Sequence, residues 1–140
     1  MNKLETKLSA VSPAILSVFR IVFGLLFTVH GTQKLFAWPV AAAGGGVVPI
    51  TSWPYGIAGL IELVVGVLLL IGLVTRLAAF IGSGEMAFAY FTQHQPTALW
   101  PIENGGEAAV LFCFGLFLLV FTGGGTFALD AMRQRRVRTR

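Results

Sequence analysis

Four long apolar runs, each broken by at most one charge, constrain this chain more than any other feature. Residues 14–29 carry only Arg20, residues 55–74 only Glu62, residues 77–91 only Glu85, and residues 108–121 no charge at all. Crossing about 30 Å of hydrocarbon takes about 20 residues in a helix. The last two runs therefore reach spanning length only if their polar ends are included, as 75–92 and 106–122. Between the runs the chain has turn chemistry, from Trp38-Pro39 through Gly44-Gly45-Gly46 to Trp53-Pro54, and again from Gln95-Pro96 to Gly105-Gly106. Uninterrupted apolar runs exclude the alternating strands of a membrane barrel. Composition agrees: 56% of the 140 residues are hydrophobic and 11% charged, against about 45–50% and about 25% in a soluble domain, and mean hydropathy is +0.81. The expected fold class is an all-α integral membrane protein, a four-transmembrane-helix bundle forming one domain over residues 1–130, with a basic cytoplasmic tail at 131–140.

The net charge of +4 does not indicate a nucleic-acid partner, because five of the ten basic residues are Arg133, Arg135, Arg136, Arg138 and Arg140. With four alternating helices, these arginines fall on the same side as Lys3, Lys7 and Arg76, while loops 37–54 and 93–105 hold no Lys or Arg. The positive-inside rule then places both termini in the cytoplasm of a bacterial inner membrane. Trp38, Trp53 and Trp100 fall at the opposite interface, as an aromatic belt does. Lys3, Lys7 and the small-residue run Ala41-Ala42-Ala43 resemble parts of a signal peptide, but Arg20 interrupts the apolar stretch and argues for an uncleaved first helix. The lone Cys113 rules out an intrachain disulfide, a Cys-x-x-Cys pair and an all-cysteine zinc site.

The charges within the spans are the informative residues. An ionisable group at the bilayer centre costs at least about 2.5–3.5 kcal/mol, so Arg20, Glu62 and Glu85 are expected to face other helices or water. At 1.5 Å per residue, Arg20 and Glu85 both lie about 10–12 Å from the cytoplasmic end, which predicts a structural Arg20–Glu85 ion pair. By the same count Glu62 and His30 share a depth of about 10 Å from the opposite interface. Helical phase puts Arg20, Gly24, Phe27, Gly31 and Lys34 on one stripe, Ala58, Glu62 and Gly66 on another, and Ala78, Gly82, Glu85 and Ala89 on a third. Small residues beside a carboxylate are how membrane helices approach closely. For His30, Lys34 and Glu62 two readings stand: polar contacts that hold the bundle together, or a proton path or ligand site. The Lys34 ammonium is also able to snorkel to the interface.

Several ordered motifs carry a resemblance. Arg20-Ile21, Gly24 and the run Phe27-Thr28-Val29-His30-Gly31-Thr32-Gln33-Lys34-Leu35-Phe36 resemble the first-helix signature of the DoxX family. Gly59-Leu60-Ile61-Glu62-Leu63, Gly66 and Gly72-Leu73-Val74-Thr75-Arg76 are similar to its second helix and turn. Met86, Ala89, His94, Asn104-Gly105-Gly106-Glu107, Gly123-Gly124-Gly125 and Leu129-Asp130 extend the likeness over about residues 20–130. The resemblance implies a small four-helix membrane protein, and some members are associated with quinone-linked or oxidative-stress oxidoreductase systems. A quinone needs an apolar slot with polar groups at its carbonyls and a group for proton exchange. The candidate ligand-binding residues are His30, Lys34, Glu62, Glu107 and His94, with Gln33 beside them and Phe112 and Phe117, or Phe114 and Phe121, as ring neighbours. No cysteine cluster, dinucleotide fingerprint or haem-attachment motif is present to carry electrons. The expected role is thus a quinone-site or anchoring subunit with electrons from a soluble or membrane redox partner, in a chain able to form homo-oligomers. A small-solute or proton-coupled transporter and a non-catalytic scaffold are the alternatives, although the two halves show no repeat of the kind transporters use.

Overall fold

Asn2 starts the first helix with a reciprocal cap: its side chain accepts from the Glu5 N–H at 2.8 Å, and the Glu5 carboxylate accepts from the Asn2 N–H at 2.9 Å. From that cap α1 runs over Lys3–Phe36, 34 residues, in the computed structural model, which describes residues 2–42 and 44–138. Then follow α2 (Tyr55–Ile71), α3 (Thr75–Ala89) with a π-helical turn at Tyr90–His94, the single turn α4 (Pro101–Asn104), α5 (Glu107–Thr122) and α6 (Leu129–Arg138). No strand occurs among the described residues. The Trp38–Pro39 and Trp53–Pro54 peptide bonds are cis. Ala43, Thr139 and Arg140, which bear on the cleavage-site and tail expectations, lie outside the described residues.

Two antiparallel pairs make the bundle. A Cβ on Gly24 would lie 2.7 Å from the Leu70 nitrogen, and one on Gly31 would lie 2.5 Å from that of Leu63, so α1 and α2 meet backbone to backbone. This is the close approach that small-residue stripes permit. In the second pair the Ser83 hydroxyl donates to the Cys113 carbonyl at 2.9 Å, and Arg76 Nη1 donates to the Val120 and Phe121 carbonyls at 2.7 Å, joining α3 to α5. Phe27, Val65, Leu69, Ala78, Ala79, Met86, Leu116 and Leu119 fill the centre.

The helix ends differ from the apolar runs where backbone geometry overrides hydropathy. α1 begins well before residue 14. α2 stops at Ile71 rather than 74, because Gly72 takes a left-handed conformation (φ 70°) and Leu73 N–H bonds back to the Leu68 carbonyl at 3.0 Å. The outer surface is apolar: Phe80 is 61% exposed, Leu111 69% and Phe114 68%. Such an exterior suits hydrocarbon better than water. Among the described residues α1 alone is long and apolar enough by length and composition to cross a membrane, while α2 and α5 are apolar helices of 17 and 16 residues.

Candidate functional site

The stripe read on α1 is the face that the fold buries: Arg20, Gly24, Phe27 and Gly31 are all buried. Lys34 continues it and reaches across to α2. Its ammonium donates to both oxygens of Glu62, at 2.6 and 2.5 Å, with the Lys34 side chain 19% exposed and that of Glu62 4%. Lys34 is thus drawn inward to a carboxylate instead of snorkelling outward, because an unpaired carboxylate at that depth costs more than the side-chain freedom lost. Gly59 stands one turn before Glu62, and a Cβ there would press on the Lys34 Cβ at 3.0 Å, so the absence of a side chain gives the lysine its path.

Beside this pair lies a cavity of about 730 Å³, walled by α1, α2, α3, the π turn and α5. His30, Lys34, Glu62, Glu85 and His94 all line it. The His30 ring stands edge-on to Phe112, with centroids 5.8 Å apart. His94 Nδ1 lies 3.1 Å from the Asn104 carbonyl oxygen, and the Tyr55 hydroxyl donates to Gln93 Oε1 at 2.7 Å. The remaining wall is mainly apolar, including Trp53, Phe88 and Phe112.

Three expectations need correction. Arg20 and Glu85 do not pair. The Arg20 guanidinium donates to the carbonyls of Gly124 (2.8 Å), Leu70 (2.8 Å) and Leu69, while neither oxygen of Glu85 has a hydrogen-bond partner. The depth count failed because Arg20 packs at the level of Gly72, the turn between α2 and α3. Glu85 stands ten residues into α3, about 15 Å further along the bundle. Glu107 is exposed and does not line the cavity. At 100° per residue it points about 140° away from Phe112, whereas Ala108, Ala109 and Phe112 form the face that α5 turns inward. Finally, of the proposed ring neighbours only Phe112 reaches the cavity; Phe114, Phe117 and Phe121 are exposed. Gln33 is absent from the lining, and Gln93 and Tyr55 take part instead. Gln93 was missed because it lies in the π turn, off the 100° phase, and Tyr55 because it is the first residue of α2, beyond the Ala58–Glu62–Gly66 stripe.

Matches to known proteins extend these observations. A family model described as DoxX matches residues 15–95. The chain is 43% identical over 136 residues to an uncharacterized protein of Haemophilus influenzae, covering 93% of this chain and 96% of that one. It is 27% identical over 143 residues to the uncharacterized membrane protein Rv3486 of Mycobacterium tuberculosis, covering 92% and 87% respectively. No solved structure matches it. The matched stretch contains Arg20, the Lys34–Glu62 pair, Glu85 and His94, and with the apolar exterior it places the chain in the DoxX family of membrane proteins.

Proposed function

We propose that this protein is a four-span inner-membrane subunit whose cavity binds a quinone-type headgroup for a partner oxidoreductase. One observation carries the reading: a largely apolar cavity of about 730 Å³ has a buried ion pair, an imidazole and a second carboxyl group on its wall. Pockets for drug-sized ligands run from about 300 to 1,000 Å³ and combine apolar walls with a few placed polar groups. Spans of α1, α2, α3 with its π turn, and α5 measure about 24–30 Å beyond the longer α1, within reach of a bilayer that adjusts to shorter helices. The loops at the cavity end, 37–54 and 93–105, hold no Lys or Arg, which favours both termini in the cytoplasm and a cavity in the outer half of the membrane. Electrons come from a separate redox partner, which leaves this chain to seat the ring and exchange protons.

Titration of the protein in nanodiscs with tetramethyl-1,4-benzoquinone, followed by calorimetry, tests the reading. Wild type is expected to bind saturably at one site, and His30→Ala several-fold more weakly. Gly84 lines the cavity, and a Cβ there meets nothing within 4 Å, so Gly84→Trp should fill the space without disturbing the fold and abolish binding. Absence of saturable binding to wild type, or full binding to Gly84→Trp, would overturn it.

A further inference from the structure

A second cleft, of about 610 Å³, lies at the other end of the bundle, where α3 begins, α5 ends and α6 starts. The residues of the first cavity take no part in it. This end carries Arg76 and the arginines of α6, and the positive-inside rule puts the cytoplasmic leaflet there. Two cations stand on the wall, Arg76 from the first turn of α3 and Arg133 from α6.

Only part of Arg76 is engaged. Its Nη1 donates to the Val120 and Phe121 carbonyls, which fixes the guanidinium against the end of α5. The Nε and Nη2 donors find no acceptor among the described residues. Those two nitrogens form an edge on which a guanidinium takes a phosphate bidentately. The edge faces Gly123, where a Cβ would lie 3.5 Å from Nη2 and 3.7 Å from Nε, so the missing side chain leaves it open to the cleft. The acid among the lining residues is Asp130, whose two oxygens already accept from the N–H groups of Val74 and Thr75. Buried Arg20 and Arg133 both lie within electrostatic range of it, so positive charge remains in excess.

Apolar surface adjoins this cationic wall. Val74 and Leu77 line the cleft and are exposed, as is Phe121 on the last turn of α5. A fork for phosphate beside exposed apolar side chains suits an amphiphile better than a soluble anion. Helix ends also mark the membrane interface, the level at which lipid phosphates lie. A headgroup with an ammonium of its own would set a cation against Arg133.

We propose that this cleft binds an acidic phospholipid, its phosphate bidentate on the Nε–Nη2 edge of Arg76, with Arg133 as the second cation and the acyl chains along Val74 and Leu77. The site is separate from the first cavity and stands whether or not that cavity takes a quinone.

Native mass spectrometry of the purified protein, equilibrated in neutral detergent with equimolar phosphatidylglycerol and phosphatidylcholine of the same chains, reads the site. Wild type should retain one phosphatidylglycerol in preference to phosphatidylcholine. A basic side chain beside anionic lipid contributes about a factor of five in affinity. Arg133→Gln should therefore weaken phosphatidylglycerol about fivefold and leave phosphatidylcholine unchanged. Arg76→Lys, which keeps the charge but loses the edge, should weaken it too, and so should Gln134→Glu, which brings an acid to the wall. Lys7→Gln, at the same end but outside the cleft, should have no effect. Equal retention of the two lipids overturns the proposal, as does an equal loss in Lys7→Gln, which would mean diffuse attraction in place of a site. Displacement of the lipid by inorganic phosphate at the same concentration overturns it as well, because the cleft would then hold a free anion. Arg133 and Gln134 are exposed, so their variants decide the matter even where Arg76→Lys does not fold.

Discussion

At Arg20 a guanidinium 1% exposed is held by backbone carbonyls. Two of them, from Leu69 and Leu70, belong to the last turn of α2, where carbonyls run short of α-helical donors and the helix dipole favours a cation. The third, from Gly124, ties in the chain beyond α5. Arg20→Met removes three charge-assisted bonds, although Leu69 keeps the Gly72 N–H at 3.1 Å and Gly124 the Ser17 hydroxyl at 3.4 Å; at about 1.5–3 kcal/mol each, a drop of several kcal/mol should appear as a large fall in thermal-aggregation temperature in detergent. Arg20→Lys should recover part of it. Glu85→Gln combined with Arg20→Lys should be additive within about 0.5 kcal/mol, as for residues that do not touch; coupling well above that would contradict the absence of a pair. The Lys34–Glu62 pair should behave oppositely. Glu62→Gln alone leaves the half-buried Lys34 ammonium short of its partner and is expected to cost less than the roughly 3–5 kcal/mol of a fully buried pair, much of it regained in Lys34→Met/Glu62→Gln. Comparing the melting temperatures of the two single variants and the double measures that coupling.

Elements join through borrowed caps. Asp130, at the start of α6, accepts from the N–H groups of Val74 and Thr75 at 2.9 and 2.8 Å, so a carboxylate 55 residues away in sequence caps α3. Partial burial pushes its carboxyl up, yet those backbone N–H bonds and the nearby Arg133 charge outweigh it and hold the pKa below the ordinary 3.8. A depressed folded-state pKa contributes stability fully present above the unfolded value and lost as pH falls through the folded one. Stability should accordingly decline below about pH 4. Asp130→Asn should cost about 0.5–2 kcal/mol at pH 7 and flatten that part of the acid limb. Melting curves from pH 3 to 7 for both proteins check the sign; an unchanged acid limb would refute the capping role. At the α1–α2 interface, Gly31→Leu drives a side chain into the backbone of Leu63 and should prevent the pair from closing, seen as loss of the monodisperse peak in size-exclusion chromatography.

For the molecule as a whole, the decisive question is which end faces which compartment. In a Cys113→Ala background, Ser52→Cys and Thr97→Cys sit in loops without Lys or Arg, and Gln134→Cys sits on basic α6. An impermeant thiol reagent on whole cells should label the first two and spare the third. Labelling of Gln134→Cys alone would invert the topology, and labelling of all three would deny an even number of crossings.

The sequence by itself determined that the chain is helical, that its exterior is apolar and which stripe of α1 is buried, because helical phase and hydropathy are local properties carried by residues three or four apart. The same reasoning brought His30, Lys34, Glu62 and His94 to one end of the bundle. It did not decide which charge pairs with which, since partner choice depends on where one helix is shifted along another, and that shift follows from the glycine contacts and from turns such as Gly72. Only the tertiary structure moved Glu85 from Arg20 to the cavity, turned Glu107 outward and placed Asp130 on α3. In each case the energy of a buried polar group is set by neighbours that are distant in sequence.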